Sequence, residues 1–116
     1  MPATIAEDLF ERLADAVLRA LERAVNEVDG VQADLQSGIL NIEFEDGDRF
    51  VINSHRAARQ IWMAASARAW HFDVDPATER WTAQRTSEDL WSCVRDQLQA
   101  KLRTTVSLVS PRRPVS

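Results

Sequence analysis

The run from Arg59 to Asp73 constrains the fold of this chain most strongly, because it holds two short segments in which apolar and polar residues alternate. Side chains alternate between the two faces of a strand, so Ile61 and Met63 share one face and Gln60 and Trp62 share the other. The second segment repeats the pattern, with Trp70, Phe72 and Val74 on one side and His71 and Asp73 on the other. Residues 64–68 can turn the chain between them. The pattern therefore predicts two adjacent strands, each with one face in a core.

Trp62 lies on the predicted outer face, and two interpretations of it stay open. Either another element of the same chain covers the indole, or the indole is exposed and anchors a binding partner. His71 falls on the same outer face in the next strand. We interpret His71 as a surface residue, with metal ligation by its imidazole as the alternative.

A long helix is predicted before the sheet. Thr4 and Glu7 have the spacing of a capping box, in which both side chains satisfy N–H groups at a helix N-terminus. From there, apolar residues recur every three or four positions until Asp29-Gly30, which predicts about six turns of amphipathic helix. The predicted core stripe consists of Ile5, Leu9, Leu13, Val17, Leu21 and Val28, with Ala16, Ala20 and Ala24 between them.

Further strands are predicted on both sides of the central run. Alternation places three of them before it, at residues 31–36, 40–45 and 49–53. Ser37-Gly38 is the first turn, and Asp46-Gly47 predicts a two-residue type I′ hairpin. Residues 54–59 form a loop before the central pair, and a short strand surrounds Trp81.

A second helix completes the predicted fold. Thr86 or Ser87 can cap it, and Cys93 lies off its apolar stripe, half-buried and chemically inert. The stripe consists of Leu90, Trp91, Val94, Leu98 and Leu102. The order of elements predicts an α+β fold, with two helices packed on one face of a five- to six-stranded antiparallel sheet. Residues 1–103 form one domain, and the tail at 104–116 docks by its apolar half before it becomes disordered.

The composition places this domain in a reducing compartment. One cysteine among 116 residues excludes an internal disulfide and a cysteine-based zinc cluster. No apolar run approaches the ~18 residues of a membrane span, and the N-terminus lacks the pattern of a signal peptide. We therefore expect a cytoplasmic protein that does not associate with membranes.

Charge is divided unevenly along the chain, whose net charge is −4. Residues 1–48 hold twelve acidic and three basic side chains, a net charge of −9, whereas residues 49–116 hold six acidic and eleven basic ones, a net charge of +5. An acidic surface disfavours nucleic acid as a partner and favours cations or a basic protein surface.

The acids of the first predicted helix lie opposite its apolar stripe, in a row made of Glu7, Glu11, Asp15 and Glu22. The row is either a solvated face with i,i+4 ion pairs, such as Asp15 with Arg19, or part of a surface that binds hard cations weakly and exchangeably. No group of residues forms a recognisable catalytic pattern, and no glycine-rich phosphate loop or paired-histidine motif is present. We expect no catalytic residues and no organic cofactor.

One set of spaced residues resembles the frataxin family, in particular its bacterial CyaY branch. The set comprises Asn53, Gln60-Ile61-Trp62, Trp70-His71-Phe72-Asp73 and Trp81. The resemblance extends from Phe10 to Leu102 and implies two helices on one face of an antiparallel sheet. It also implies an iron-binding accessory protein of iron–sulfur cluster assembly, which donates iron to, or regulates, the complex of cysteine desulfurase and scaffold protein.

The resemblance implies weak, surface-exposed binding of Fe²⁺ or Fe³⁺ by acids at the end of the first helix and in the first strand. The matching positions are Glu22, Glu27, Asp29 and Asp34, and the acidic row adds Glu11 and Asp15. The positions implied in docking are Asn53, Gln60 and Trp62, with His71 on the same predicted face. We expect a monomer, with a metal-induced oligomer as the alternative.

Two other functions stay open. A ferroxidase that oxidises Fe²⁺ and stores Fe³⁺ would need a diiron site of paired carboxylates or histidines, for which the sequence has no motif. A protein-interaction adaptor would bind its partner without any localised response to metal.

Overall fold

Six strands form one antiparallel sheet in which each strand pairs with its neighbours in sequence. This computed structural model describes residues 5–108 and residue 110. The elements are α1 Glu7–Val25, β1 Val31–Gln36, β2 Ile39–Phe44, β3 Arg49–His55, β4 Gln60–Ala65, β5 Arg68–Asp75, β6 Arg80–Ala83 and α2 Leu90–Leu102. The predicted α+β fold is confirmed, with six strands.

The core lies between the sheet and the two helices. Ile61, Met63 and Phe72 are buried there, as the alternation in the central strands predicts. The helices contribute Phe10, Ala14, Leu18, Leu21 and Val25 from α1, and Leu90, Trp91, Cys93, Val94 and Leu98 from α2. Neither described helix is both long and apolar enough to cross a membrane. The opposite face of the sheet remains available for other contacts.

The core-facing side of α1 differs from the predicted stripe by about one residue. Leu9, Leu13 and Val17, at the centre of that stripe, are only half-buried, whereas Phe10 is 1% exposed. The Phe10 ring packs edge-on against Trp81, with 5.9 Å between ring centroids. Apolar residues cover so much of this helix that spacing alone leaves its rotation undetermined, and burying the large phenyl ring decides it.

Both helices begin later than predicted. α1 begins at Glu7, after Ala6 as N-cap, and Thr4 of the predicted capping box lies outside the described residues. α2 begins at Leu90, because the carboxylate of Asp89 accepts a hydrogen bond from the Ser92 N–H at 3.2 Å. A β-bridge between Thr82 and Asp89 holds the preceding chain away from helical geometry. The prediction of Thr86 or Ser87 as the cap is therefore wrong.

Two predicted turns also need correction. At Asp46-Gly47, the Gly47 N–H donates to the Phe44 carbonyl at 3.0 Å and the Phe44 N–H to the Asp48 carbonyl at 2.9 Å. Only Gly47 of the predicted pair has a positive φ, at 89°, so the hairpin has three loop residues and a glycine bulge rather than a type I′ turn. Between β4 and β5, by contrast, Ser66 and Ala67 alone connect the strands, with φ of 51° and 63°. Both strands are therefore longer than predicted.

Cys93 is fully buried, at 1% exposed, rather than half-buried. Burial raises the pKa of its thiol to about 12, and the nearby charge of Glu88 adds to the effect. A thiol with so little thiolate is a poor nucleophile and a poor metal ligand.

In the tail, Val106 and Leu108 are buried, and the Val106 N–H donates to the Gln99 side chain at 3.0 Å. Val109 and residues 111–116, where disorder was predicted, lie outside the described residues.

Candidate functional site

The outer face of the sheet carries a row of residues that face one another across four strands. Ile39, Asn53, Trp62 and His71 are consecutive partners in the register of β2, β3, β4 and β5. Three of the four predicted docking residues therefore lie in one line. The fourth, Gln60, pairs with His55 in the adjacent line.

Trp62 is stacked between two imidazole rings. The centroid of its indole lies 3.8 Å from that of His55 and 4.3 Å from that of His71, with interplanar angles of 15° and 10°. Because a ring covers each of its faces, the indole is half-buried rather than exposed. Each of the two interpretations of Trp62 is therefore correct in part. Side chains of the same chain cover the flat faces of the indole, but the whole stack lies on the outer face of the sheet.

Hydrogen bonds fix the orientation of this stack. The Trp62 Nε1–H donates to Gln60 Oε1 at 2.8 Å, and the Gln60 Nε2–H donates to Asp73 Oδ1 at 3.1 Å. Gln60 is only 8% exposed, so its amide is held under the stack with both ends bonded. We name His55, Gln60, Trp62, His71 and Asp73 the Trp62 cluster. Such a preoriented set of rings loses little rotamer freedom when it binds a partner.

Two members of this surface were not predicted from the sequence. His55 was predicted to lie in a loop, but β3 continues through it. Ile39 is 43% exposed and extends the row onto β2 as an apolar neighbour of Asn53. Alternation could have placed Ile39, because Leu40 and Ile42 point inward and Ile39 therefore points outward. His55 lies two residues after Asn53, so it shares the outer face once β3 extends that far.

The acidic row of α1 is largely engaged within the chain. Glu11 pairs with Arg56 at 2.6 Å and Asp15 with Arg19 at 2.8 Å. The second of these is the i,i+4 pair expected for a solvated face. These two acids, predicted to bind iron, therefore already have cationic partners.

Side chains at the end of α1 bond to the outer edge of β1. Asn26 Nδ2–H donates to the Ala33 carbonyl at 2.9 Å, while Asn26 Oδ1 accepts from the Ala33 N–H at 2.8 Å. Glu22 Oε2 accepts from the Leu35 N–H at 2.8 Å. We name these contacts the β1 clasp. Glu22, a predicted iron-binding acid, thus has a structural role that its spacing did not indicate.

The remaining predicted iron-binding acids are Glu27, Asp29 and Asp34, and all three are exposed. Among residues 5–108 and 110, no three side chains of the His, Cys, Asp or Glu type are placed to hold one metal ion. A cation at this surface would therefore meet separate carboxylates rather than a preformed coordination shell, and its binding would be weak.

A lysine links the acidic β2–β3 hairpin to α2. The Lys101 ammonium lies 2.7 Å from Asp46 Oδ2 and 3.0 Å from Asp48 Oδ2, and 5.4 Å from the Phe44 ring centroid. Its hydrogen bonds lower the pKa of Asp46 and of Asp48, and those same bonds raise the pKa of Lys101. These two hairpin carboxylates are thus partly neutralised, whereas Glu27, Asp29 and Asp34 have no ion pair within 4.0 Å among the described residues.

Lys101→Met should lower the melting temperature most at neutral pH. A carboxylate whose pKa is depressed in the folded protein contributes stability above its unfolded value, here 3.8, and loses it as the pH falls through the folded value. The raised pKa of Lys101 contributes stability that is lost only above its ordinary value of 10.5. The difference between wild type and variant, measured by circular dichroism, should stay level from about pH 5 to pH 9 and shrink below about pH 4. A difference that does not shrink below about pH 4 would mean that the ion pairs of Lys101 with Asp46 and Asp48 do not stabilise the fold.

The sequence of this chain matches one protein family and is similar to proteins of known name. Residues 3–104 match the family described as Frataxin-like domain. The chain is 33% identical to the iron-sulfur cluster assembly protein CyaY of Ralstonia nicotianae over 111 residues, which cover 91% of this chain and 96% of the relative. It is 34% identical to the CyaY protein of Pseudomonas fluorescens over 89 residues, covering 75% and 80%.

Solved structures agree on the fold. Frataxin from Psychromonas ingrahamii superposes with a TM-score of 0.82 and 21% identity, covering 91% of this chain and all of that one. A trimeric frataxin from the yeast Saccharomyces cerevisiae, described as complexed with ferrous, superposes with a TM-score of 0.63 and 21% identity, covering 90% and 94%. At such identities the agreement concerns the arrangement of helices and strands.

Proposed function

This chain belongs to the frataxin family, and we propose that it is an accessory protein of iron–sulfur cluster assembly. In this proposal it docks on the cysteine desulfurase and scaffold complex in the cytoplasm, and it donates iron to that complex or regulates it. The names of the relatives from Ralstonia and Pseudomonas support the assembly role. The geometry of the Trp62 cluster is the main support for the proposed docking.

The Trp62 cluster has the properties of a binding anchor. Its aromatic rings are held in place before any partner arrives, by ring stacking at 3.8 and 4.3 Å and by the bond to Gln60 at 2.8 Å. Ile39 and Asn53 continue the same face, so that apolar and hydrogen-bonding groups lie together. Rigid aromatic residues surrounded by polar ones carry much of the affinity at protein interfaces.

The acidic surface supplies attraction at longer range. Glu27 and Asp29 lie in the turn between α1 and β1, Asp34 lies in β1 near the β1 clasp, and all three are exposed. A basic partner surface would be steered toward them, which raises the association rate more than it slows dissociation. Iron would be the cargo of these carboxylates, held weakly and passed on, rather than a resident cofactor.

A metal-independent adaptor is the second candidate, and one observation favours it. Glu11, Asp15 and Glu22 are already bonded to Arg56, Arg19 and the Leu35 N–H. An adaptor needs only the Trp62 cluster and the acidic charge. The two candidates differ in whether Fe²⁺ affects a defined set of residues.

An anaerobic Fe²⁺ titration followed by backbone NMR separates the two candidates, and the purified cysteine desulfurase is then titrated in place of iron. Iron donation predicts broadening confined to the end of α1 and to β1, at Glu27, Asp29 and Asp34. The adaptor predicts desulfurase-induced changes around Trp62 with no localised effect of iron. If neither titrant perturbs these regions, the assembly role proposed for both surfaces is wrong.

Replacing two of the exposed acids should slow association with the desulfurase. For Glu27→Gln with Asp34→Asn, we expect the association rate at low salt to fall by roughly three- to tenfold, while the dissociation rate changes little. The matched control is Asp8→Asn with Asp96→Asn, which removes the same charge from the start of α1 and from α2. Stopped-flow kinetics at two ionic strengths measures both. Equal slowing in both variants would mean that only net charge matters, and no slowing in either would exclude steering by acids.

A further inference from the structure

A cavity of about 410 Å³ lies where β5 begins and β6 ends, apart from the acidic surface. Arg68 and Trp70 of β5 form one wall, and Gln84, Arg85 and Thr86 of the turn after β6 form the other. Small-molecule sites in proteins commonly have volumes of about 300–1,000 Å³, so this cavity has room for a small ligand.

The lining is cationic although the chain as a whole is acidic. Arg68 and Arg85 are both exposed to solvent, and no carboxylate of the described residues lies within 4.0 Å of either guanidinium. Arg56, Arg59 and Arg80, in contrast, each reach a carboxylate within that distance. The two cavity arginines therefore keep their hydrogen-bond donors available for a ligand.

Stacking holds one of these arginines in place. The Arg68 guanidinium carbon lies over the Trp70 ring, 4.6 Å from its centroid, in a cation–π contact that favours this position of the side chain. The nearest acid along this part of the chain, Glu88, is already bonded. Its Oε1 accepts from the Trp70 indole at 3.2 Å and from the Thr86 hydroxyl at 2.8 Å. Glu88 therefore orders the cavity wall, and its carboxylate forms no ion pair with Arg68 or Arg85 within 4.0 Å.

We propose that this cavity binds a small oxyanion ligand, one that carries a carboxylate or phosphate group. Guanidinium groups bind both through paired N–H···O bonds, which is the geometry that a stacked and unpaired Arg68 offers. Arg85 supplies a second positive charge, and Gln84 and Thr86 supply neutral polar groups on the same wall. His71 of the Trp62 cluster also lines the cavity, so the two surfaces adjoin, but anion binding requires neither iron nor a docked partner.

The test titrates the full chain with succinate, and separately with inorganic phosphate, against sodium chloride at matched ionic strength. Two-dimensional NMR follows the backbone amides and the Trp70 indole N–H. We expect saturable shifts confined to Arg68, Trp70, Arg85 and their neighbours with at least one of the two anions, and none with chloride. The anion that saturates at the lower concentration distinguishes a carboxylate ligand from a phosphate ligand.

Variants then decide whether the arginines hold the anion. Arg85→Gln should weaken binding by about tenfold, and Arg68→Gln with Arg85→Gln should abolish saturation. Arg95→Gln is the matched control, because Arg95 lies on α2 beside Asp96 and outside the cavity. Should the double variant fail to fold, Arg85→Gln alone decides. Shifts that do not saturate, or binding that survives loss of Arg85, would overturn the proposal.

Discussion

Trp62→Ala should weaken binding to the cysteine desulfurase and scaffold complex by about 2 kcal/mol, or roughly 30-fold, while the chain stays folded. Removing the indole leaves His55 and His71 without the ring that both stack upon, and it frees the Gln60 amide. The partner would thus meet three loosened side chains in place of one rigid surface. Isothermal titration calorimetry measures the loss.

The same variant should cost only about 1–3 kcal/mol of stability, since the two ring contacts are worth about 0.5–1.5 kcal/mol each and Trp62 lies outside the core. A buried tryptophan would cost about 3–5 kcal/mol. Trp62→Phe serves as the control, because it keeps a ring between the imidazoles but loses the hydrogen bond to Gln60. Undiminished affinity in Trp62→Ala would exclude the cluster as the docking surface. A loss of stability above about 3 kcal/mol would make the tryptophan a structural residue instead.

Phe10→Ala should have the largest effect on stability, with a loss of about 4 kcal/mol in the free energy of unfolding. Phe10 is 1% exposed, and its ring is the contact between α1 and Trp81 at 5.9 Å. The cavity left behind lies between a helix and a sheet that cannot easily close together. Urea denaturation followed by circular dichroism gives the value.

Leu9→Ala is the matched control for Phe10→Ala, because Leu9 stands one position earlier on the same helix and is only half-buried. It should cost about 1 kcal/mol, since truncation of a partly solvated side chain leaves little cavity. A larger loss for Leu9→Ala than for Phe10→Ala would show that the sequence-based stripe gives the correct rotation of α1 after all.

The sequence predicted the sheet better than the helices, for a physical reason. Side chains in a strand have a period of two, so a single apolar pair such as Ile61 and Met63 determines which face is buried. A helix with apolar residues around much of its circumference has no such constraint, and the rotation of α1 depended on where Phe10 could pack. The cap of α2 was misplaced because the long-range bridge from Thr82 to Asp89 leaves no local pattern.

The candidate site was predicted in part. The alternation of side chains in the strands predicted Trp62 and His71 on one face of the sheet. In the structure their rings are stacked, with 4.3 Å between centroids. The contribution of His55 depended on how far β3 extends, and strand ends are poorly determined by local sequence. The partners of Glu11 and Glu22 were not predictable, because Arg56 and Leu35 come from distant parts of the chain.

The β1 clasp has a consequence for strand pairing at the free edge of the sheet. A strand at the edge of a sheet ordinarily presents unpaired N–H and C=O groups that can recruit a seventh strand from another molecule. Here Asn26 occupies both groups of Ala33, and Glu22 occupies the Leu35 N–H. An incoming strand would have to break these bonds before it gained any of its own. The two side chains thus act as a barrier to fibre growth along β1, and a chain lacking Asn26 would retain its docking surface but lose much of that protection.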